Sequence, residues 1–446
     1  MRRSIQKRWS IGAAVFACTV ALHAASSPPI PLLHAVPPGA RIAAPDAVGE
    51  AERVTLDGEV APLLLRLPEG TTLRIADWPV APGVRRGVVL TRHEVYSPEA
   101  RIWKVDGART VEVPRSRLAF YWGAQEGDER AGVFVSVDPE SGEVRSLIQS
   151  AAGVHDLRRA NGAAARDYLV AKADSLLGRT ASSSELPSWG CGEEGLPAIP
   201  RFTSGRRTSA AATAGASSLG TATVAIDTDN ELLSLKFSND TTSATNYVAS
   251  LFAAMNVMYE RDLQVRLLQG TTFLRVSTTA DPYSQPTNGG ATTDNLSEFT
   301  SYWSQNEGSV PRAIAAMLSG KQSTNNYSSG IAWIGGLCSS DLGYSYTQVF
   351  KIDHLAGDAQ VVGHEIGHNF GSPHTHCYSP PIDGCWNGES GCYSGPASCP
   401  APSTIGGVGN VQGTIMSYCN QLGGCTASLV FHPRTVDLVQ PNIADA

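Results

Sequence analysis

The sequence predicts two folded halves: a mainly β segment over residues 26–207 and a mixed α/β (α+β) segment over residues 221–446. Three observations carry this. Short apolar or alternating runs, bounded by Gly, Pro and Asp turns, fill the N-terminal half. The C-terminal half mixes such runs with stretches of helical period. Between them, RRTSAAATAGASSLG (Arg206 to Gly220) is small and polar with little to pack, which is linker composition. Residues 208–220 read as the linker, and the Arg206-Arg207 pair before them as a site where a protease can cut.

Residues 1–25 read as a segment outside the fold. Arg2, Arg3, Lys7 and Arg8 precede an apolar run from Ile11 to Leu22, and small residues follow at Ala24, Ala25 and Ser26. This is the three-part pattern of a secretory signal peptide, with cleavage after Ala24 or Ala25. The run is too short for a stable membrane span, and no later run is long enough. The expected product is therefore secreted, extracellular or periplasmic, with no membrane attachment after cleavage. The net charge of −7 argues against a nucleic-acid surface, which needs clustered excess Lys and Arg.

In the N-terminal half, Thr72 to Ile75, Gly87 to Leu90, Ala131 to Val137 and Val144 to Ile148 read as strands, the last two joined by a DPESG turn at Asp138 to Gly142. Its histidines, His34, His93 and His155, stand singly and read as surface or core fillers. In the C-terminal half, Thr221 to Ile226 reads as a strand. Tyr247, Val248, Leu251, Phe252, Met255 and Met258 recur at helical spacing within Thr245 to Arg261, an amphipathic helix expected to pack on a sheet. Leu263 to Leu268 and Thr272 to Val276 read as two strands. Asn295 to Trp303 and Pro311 to Leu318 read as helices, the second with Pro near its start. Ile331 to Ile334 reads as a strand ending at Gly335-Gly336.

The chemistry concentrates in HEIGHNFGSPH, His364 to His374. His364 and His368 are four apart, so on a helix they point the same way and can share one metal ion. Glu365 lies beside them, able to reach a water on that ion. Gly371 suits the left-handed conformation that ends a helix, and Pro373 prevents its continuation. The chain then turns back and His374 supplies a third nitrogen. Three protein ligands leave a fourth position for water, the arrangement of catalytic rather than structural zinc.

Downstream lies GTIMSYC, Gly413 to Cys419. HExxHxxGxxH followed by a Met-containing turn resembles the metzincin zinc metallopeptidases. HEIGHNFG is similar to the helix of their adamalysin (reprolysin) branch, and TATVAIDTDNELL and MYERDLQVRLL to the start of its catalytic domain. The resemblance implies a mixed twisted sheet with long helices and a zinc cleft, preceded by a propeptide. It implies one catalytic Zn2+ on His364, His368 and His374, with Glu365 as general base and Met416 as an apolar floor. GIAWIGGLC resembles the edge strand on which extended substrates lie, here Gly330, Ile331, Ala332, Trp333, Ile334 and Gly335. Calcium (Ca2+) stays open. The implied activity is hydrolysis of peptide bonds in proteins by a monomeric endopeptidase made as a latent zymogen.

The chain departs from that branch in places. Thr375 follows the third His, where adamalysins usually have Asp. His376 then offers a fourth imidazole, read as a neighbour of the ligands or a surface residue, with direct ligation as the alternative. Tyr418 stands two residues after Met416, either an oxyanion or zinc partner or a core Tyr. Six cysteines crowd into Cys377 to Cys425, a Gly/Pro/Ser-rich stretch that cross-links would hold. Cys191 has two readings. Metzincin propeptides often place one thiolate on the zinc, and Gly190 and Gly192 would let the backbone approach. Alternatively, seven cysteines follow it, so eight could pair completely as disulfides. Two other function classes share the scaffold: an inactive binding or adhesion protein, and a zinc amidase acting on cell-wall or small substrates. An intact Glu365 argues against the first, and an edge strand suited to extended peptide against the second.

Overall fold

The computed structural model describes residues 32–34, 51–160, 166–173, 188–191, 219–287, 290–321 and 327–446. The signal-like segment, the Arg206-Arg207 pair and the linker up to residue 218 fall outside these residues, as do the side chains of residues 32–34, 188–191 and 327; Gly220, expected in the linker, opens β13. In chain order the N-terminal half forms β1 (Leu32–His34), β2 (Ala51–Thr55), α1 (Val60–Arg66), β3 (Thr72–Ala81), β4 (Val84–His93), β5 (Ile102–Asp106), β6 (Arg109–Val113), β7 (Ala119–Gln125), β8 (Asp128–Val137), β9 (Val144–Ser150), β10 (Gly153–Arg159), β11 (Asp167–Lys172) and β12 (Ser188–Cys191). The C-terminal half forms β13 (Gly220–Thr228), α2 (Thr241–Met258), β14 (Val265–Arg275), α3 (Thr293–Asn306), β15 (Ile314–Ser319), β16 (Tyr327–Ala332), β17 (Tyr344–Gln348), α4 (Leu355–Asn369) and α5 (Pro433–Asp445). Among the described residues no helix is long and apolar enough to cross a membrane.

Two large sheets result. One runs β1-β3-β4-β7-β8-β9-β10-β11-β2, and the DPESG segment makes the turn between β8 and β9. Its apolar face buries Leu73, Ile75, Val88, Tyr121, Val133, Val135 and Leu157, with Val60 and Leu64 of α1 in the same core. The other runs β12-β16-β17-β15-β13-β14-β5-β6. Its interior pairs are parallel, from β17 through to β5. Three strands of this second sheet, β5, β6 and β12, come from the N-terminal half. The linker thus divides the chain but not the core.

Two sequence expectations are corrected here. Pro311 to Leu318 is not a helix; it contains β15, hydrogen-bonded to β13 and β17 and buried along its whole length. Ala, Met and Leu favour a helix in isolation, but a strand covered on both faces reads as an unbroken apolar run. Leu263 to Leu268 and Thr272 to Val276 form one strand, β14, whose pairing with β13 shifts register between Val224 and Ile226. An irregularity inside one strand had the look of a break between two.

Helix α2 starts at Asp240, whose side chain accepts from the Thr242 N–H, relieving one of the unpaired first-turn donors. Its expected apolar residues are all buried, but so are Ala249, Ala253 and Ala254. The face that amphipathicity would leave wet is covered by the N-terminal half. Ile102, Phe120, Trp122, Phe134 and Leu147 share one continuous core with Val224, Leu251, Phe252 and Met255. Each large side chain so buried contributes roughly 1.5–3 kcal/mol. Together they rival the about 5–15 kcal/mol net stability of a whole domain. Polar ties cross the same seam. Arg145 pairs with Asp353 at 2.8 Å, the Leu429 N–H donates to Gln149 Oε1 at 2.9 Å, and Arg266 lies 5.3 Å from the Trp122 ring centre.

Two predictions follow from this seam. Residues 219–446 produced alone should lack a cooperative thermal transition, and co-production with residues 27–218 should restore it; calorimetry reads both. The second concerns acid. His93 stacks on Trp122 at 4.0 Å, and burial, helped by Arg266, lowers its pKa from 6.5 to about 3. Burial, helped by Lys172, lowers that of His155 to about 4. The unfolded chain takes up these protons near pH 6.5 and the folded chain only near 3–4. Stability is therefore expected to fall as pH drops below about 6.5. Urea midpoints from pH 7.5 to 4.5 should decline, and less steeply in His93→Gln/His155→Gln.

Candidate active site

Helix α4 carries His364, Glu365 and His368, all buried, along with Leu355, Ala359, Val362 and Ile366, which anchor it in the core. Its contact with α2 and with β16 fixes how it faces the sheet. Inside α4, Gly367 has no room for a side chain: a Cβ there would lie 2.6 Å from Met416 Sδ. A helix-interior glycine costs about 1 kcal/mol relative to Ala, and here it is what lets the Met416 turn seat directly beneath the helix. Gly371, at φ 104°, ends the helical path after Asn369. The chain turns back, and His374 arrives on extended backbone.

Three ring nitrogens converge. His368 Nε2 lies 3.1 Å from His364 Nε2 and 3.1 Å from His374 Nε2. The other ring nitrogens explain the orientation. His364 Nδ1 donates to the Ile415 carbonyl at 2.7 Å, His368 Nδ1 to the Ser372 carbonyl at 2.7 Å, and His374 Nδ1 to Glu389 Oε2 at 2.7 Å. Carbonyl and carboxylate oxygens only accept, so each Nδ1 carries its hydrogen and each Nε2 presents a lone pair. Burial, reinforced by the adjacent imidazoles, drives His364 well below the usual His range and His368 to about 3. His364 and His368 are thus neutral donors, and the Nδ1 contact of His374 leaves its Nε2 facing theirs. Three lone pairs aimed at one point repel each other unless a cation sits among them. Tetrahedral zinc with bonds of about 2.0–2.1 Å separates its ligand nitrogens by about 3.4 Å, so these residues fit the ion with little movement.

Glu365 lies against β16. A Cβ on Gly330 would overlap the Glu365 carboxyl, so the strand packs directly on that group. The expected edge segment, Gly330 to Gly335, is corrected in extent: β16 ends at Ala332. The Trp333 N–H still donates to the Tyr344 carbonyl at 3.2 Å, but Ile334 and Gly335 turn, and the Gly335 N–H donates to the His368 carbonyl at 2.8 Å. Nor is the strand's outer side open. β12 pairs with it in parallel, with Cys191 opposite Gly330.

Around the histidines, Met416 is fully buried and its carbonyl accepts from the Thr375 N–H at 3.0 Å. The Tyr418 ring lies 4.6 Å from that of His374 and 5.7 Å from that of Trp386. His376 is buried and does not join the three converging nitrogens; its Nε2 donates to Glu389 Oε2 at 2.8 Å. Burial pushes the Glu389 carboxyl up, but the N–H groups of His374 and His376 outweigh it and hold it well below the usual range. Glu389 is the residue sequence reading missed. It sits in an aperiodic loop, and the available signal was that residues 378–432 contain only two acids, Asp383 and Glu389. The Cys-rich stretch is closed by disulfides Cys377–Cys392, Cys385–Cys419 and Cys399–Cys425. Among the described residues, Cys338 is exposed and in no disulfide.

Residues 218–429, just under half the chain, match Reprolysin_5, metallo-peptidase family M12. The match supports a metallopeptidase, and it spans the whole histidine cluster. No curated protein matches. A solved structure, metalloproteinase-II from Bacteroides fragilis, overlaps with a TM-score of 0.39 at 10% identity, covering 71% of this chain and 85% of that one. That overlap is too loose to bear on chemistry.

The packing of β16 on the helix gives a direct test. Gly330→Ala must displace either the strand or the Glu365 carboxyl, and should cost about 1–3 kcal/mol in urea unfolding. An unfolding midpoint equal to the parental one would show that the two are not in contact.

Proposed function

We propose that this chain is a secreted, zinc-dependent endopeptidase of the metzincin type, reprolysin-like, made in a latent form. The observation that carries the reading is the convergence of the His364, His368 and His374 Nε2 lone pairs beside the carboxyl of Glu365. A bound zinc ion supplies acidity to a water and polarisation to a carbonyl. The chain's own groups do the rest. His364, His368 and His374 hold the ion. Glu365 takes a proton from the attacking water and returns it to the leaving amine nitrogen. Tyr418, whose ring lies 4.6 Å from that of His374, would be the donor to an oxyanion. The main chain of β16 offers an extended peptide the hydrogen bonds of an added strand.

Latency has support in β12, which takes up that same edge of β16. A strand from the N-terminal half and a peptide substrate cannot both pair there. Secretion rests on the pattern of residues 1–25, and the three disulfides of the C-terminal half are the kind of cross-link that persists in an oxidising compartment. Protein and peptide substrates are the natural partners of this machinery.

The test is casein cleavage by the purified chain after limited proteolysis, with and without a chelator. Activity should vanish with the chelator and return with zinc. Glu365→Gln should keep the parental zinc content and lose about 10²–10⁴-fold in rate. Cleavage by that variant at the parental rate would remove Glu365 from the mechanism.

A further inference from the structure

The three histidines are not held alike. His364 and His368 sit on one helix and donate to main-chain carbonyls of Ile415 and Ser372. Those acceptors are fixed by the turns that carry them. His374 lies outside the helix, on extended backbone with φ −62° and ψ 151°. Its Nδ1 donates to a side chain fifteen residues away, Glu389. Among the described Nδ1 contacts of the three rings, that of His374 goes to a side chain, and to a carboxylate, where the other two go to main-chain carbonyls.

That element is tied down. The Cys377–Cys392 disulfide closes the loop on which Glu389 sits, with His374 and His376 just before one cysteine and Glu389 just before the other. The Tyr393 N–H donates to the His376 carbonyl at 3.0 Å, and the Cys377 N–H to the His374 carbonyl at 3.0 Å. His376 Nε2 donates to the same oxygen, Oε2, that serves His374. One carboxylate oxygen thus gathers both imidazoles.

Resting on the zinc peptidase reading, we infer that Glu389, clamped by the Cys377–Cys392 disulfide and steadied by His376, is the positioning residue for the third metal ligand. It fixes the tautomer and ring plane of His374 so that Nε2 faces the other two. Its negative charge also makes that nitrogen a stronger donor. The disulfide therefore governs metal retention as well as loop stability. Cutting that covalent closure frees Glu389 to leave His374 while the two helical ligands stay in place.

The experiment compares zinc affinity in the full chain by competition with a chromophoric chelator at pH 7.5. Glu389→Ala should bind zinc about 10–100-fold more weakly, and Glu389→Gln, which keeps an acceptor oxygen without charge, should fall between it and the parent. Cys377→Ser/Cys392→Ser with Glu389 intact should also weaken binding. The melting temperature of the metal-free protein, which a merely structural role would lower, should stay near the parental value in Glu389→Gln, while the rise on adding zinc shrinks. At saturating zinc, KM for a casein-derived peptide should hold. Affinities within about twofold of the parent in both Glu389 variants would overturn the inference. Failure of the peptidase reading looks different: a parental chain that binds zinc yet leaves casein intact, with the affinity comparison still readable.

Discussion

Everything at this site depends on an arrangement that is unfavourable on its own: three imidazoles aiming their Nε2 atoms at one another about a common point. No sequence would hold that by ring packing alone. It is enforced from behind, through the opposite ring nitrogens, each of which donates to an acceptor from a different piece of chain: the Met416 turn, the turn after Gly371, and the Cys-closed loop. The surrounding fold serves to bring those three acceptors to the back of the rings. Gly367 allows the Met416 turn to seat under α4, and Gly371 reverses the chain so that Ser372 and His374 return to it. A divalent cation placed among the three rings would relieve their mutual repulsion.

The second constraint is the helix α2. It lies between the two sheets and is buried by both, so neither half of the chain has a complete core without the other. This is unlike a removable cap, which would meet the enzyme through a wetter and smaller contact. The parallel pairing of β5 with β14 extends the same dependence into the hydrogen-bond ladder, because without β5 the β14 edge would expose unpaired main-chain groups.

What was legible in the sequence follows from where information is local. His364 and His368 declare themselves by a four-residue spacing, Gly371 by its conformational freedom, and α2 by its apolar period. These signals need only a few neighbouring residues. β15 was hidden because Ala, Met and Leu say helix until two flanking strands say otherwise, and that context is distant in sequence. The hairpin of β5 and β6 did carry a local signal, Asp106-Gly107 at its turn, which the sequence reading passed over; its parallel pairing with β14, across about 170 residues, leaves no local trace. Glu389 was hidden because an irregular loop has no period, and its meaning arises only when a disulfide folds it onto His374.

These pieces imply an order of events for the proposed latent form. β12 is held on β16 by a short parallel ladder with four register pairs, Ser188 opposite Tyr327 through Cys191 opposite Gly330. Main-chain hydrogen bonds contribute about 0.5–1.5 kcal/mol each, so the ladder itself is worth only a few. The core shared through α2 is worth several times that, by the burial of Phe120, Trp122, Phe134 and their neighbours. Under the proposed latency, a cut between β12 and β13 would let the ladder give way before the shared core. The edge of β16 can then open while the rest of the N-terminal half is still seated. Exposure of the cleft and departure of the N-terminal half would then be two separate steps rather than one.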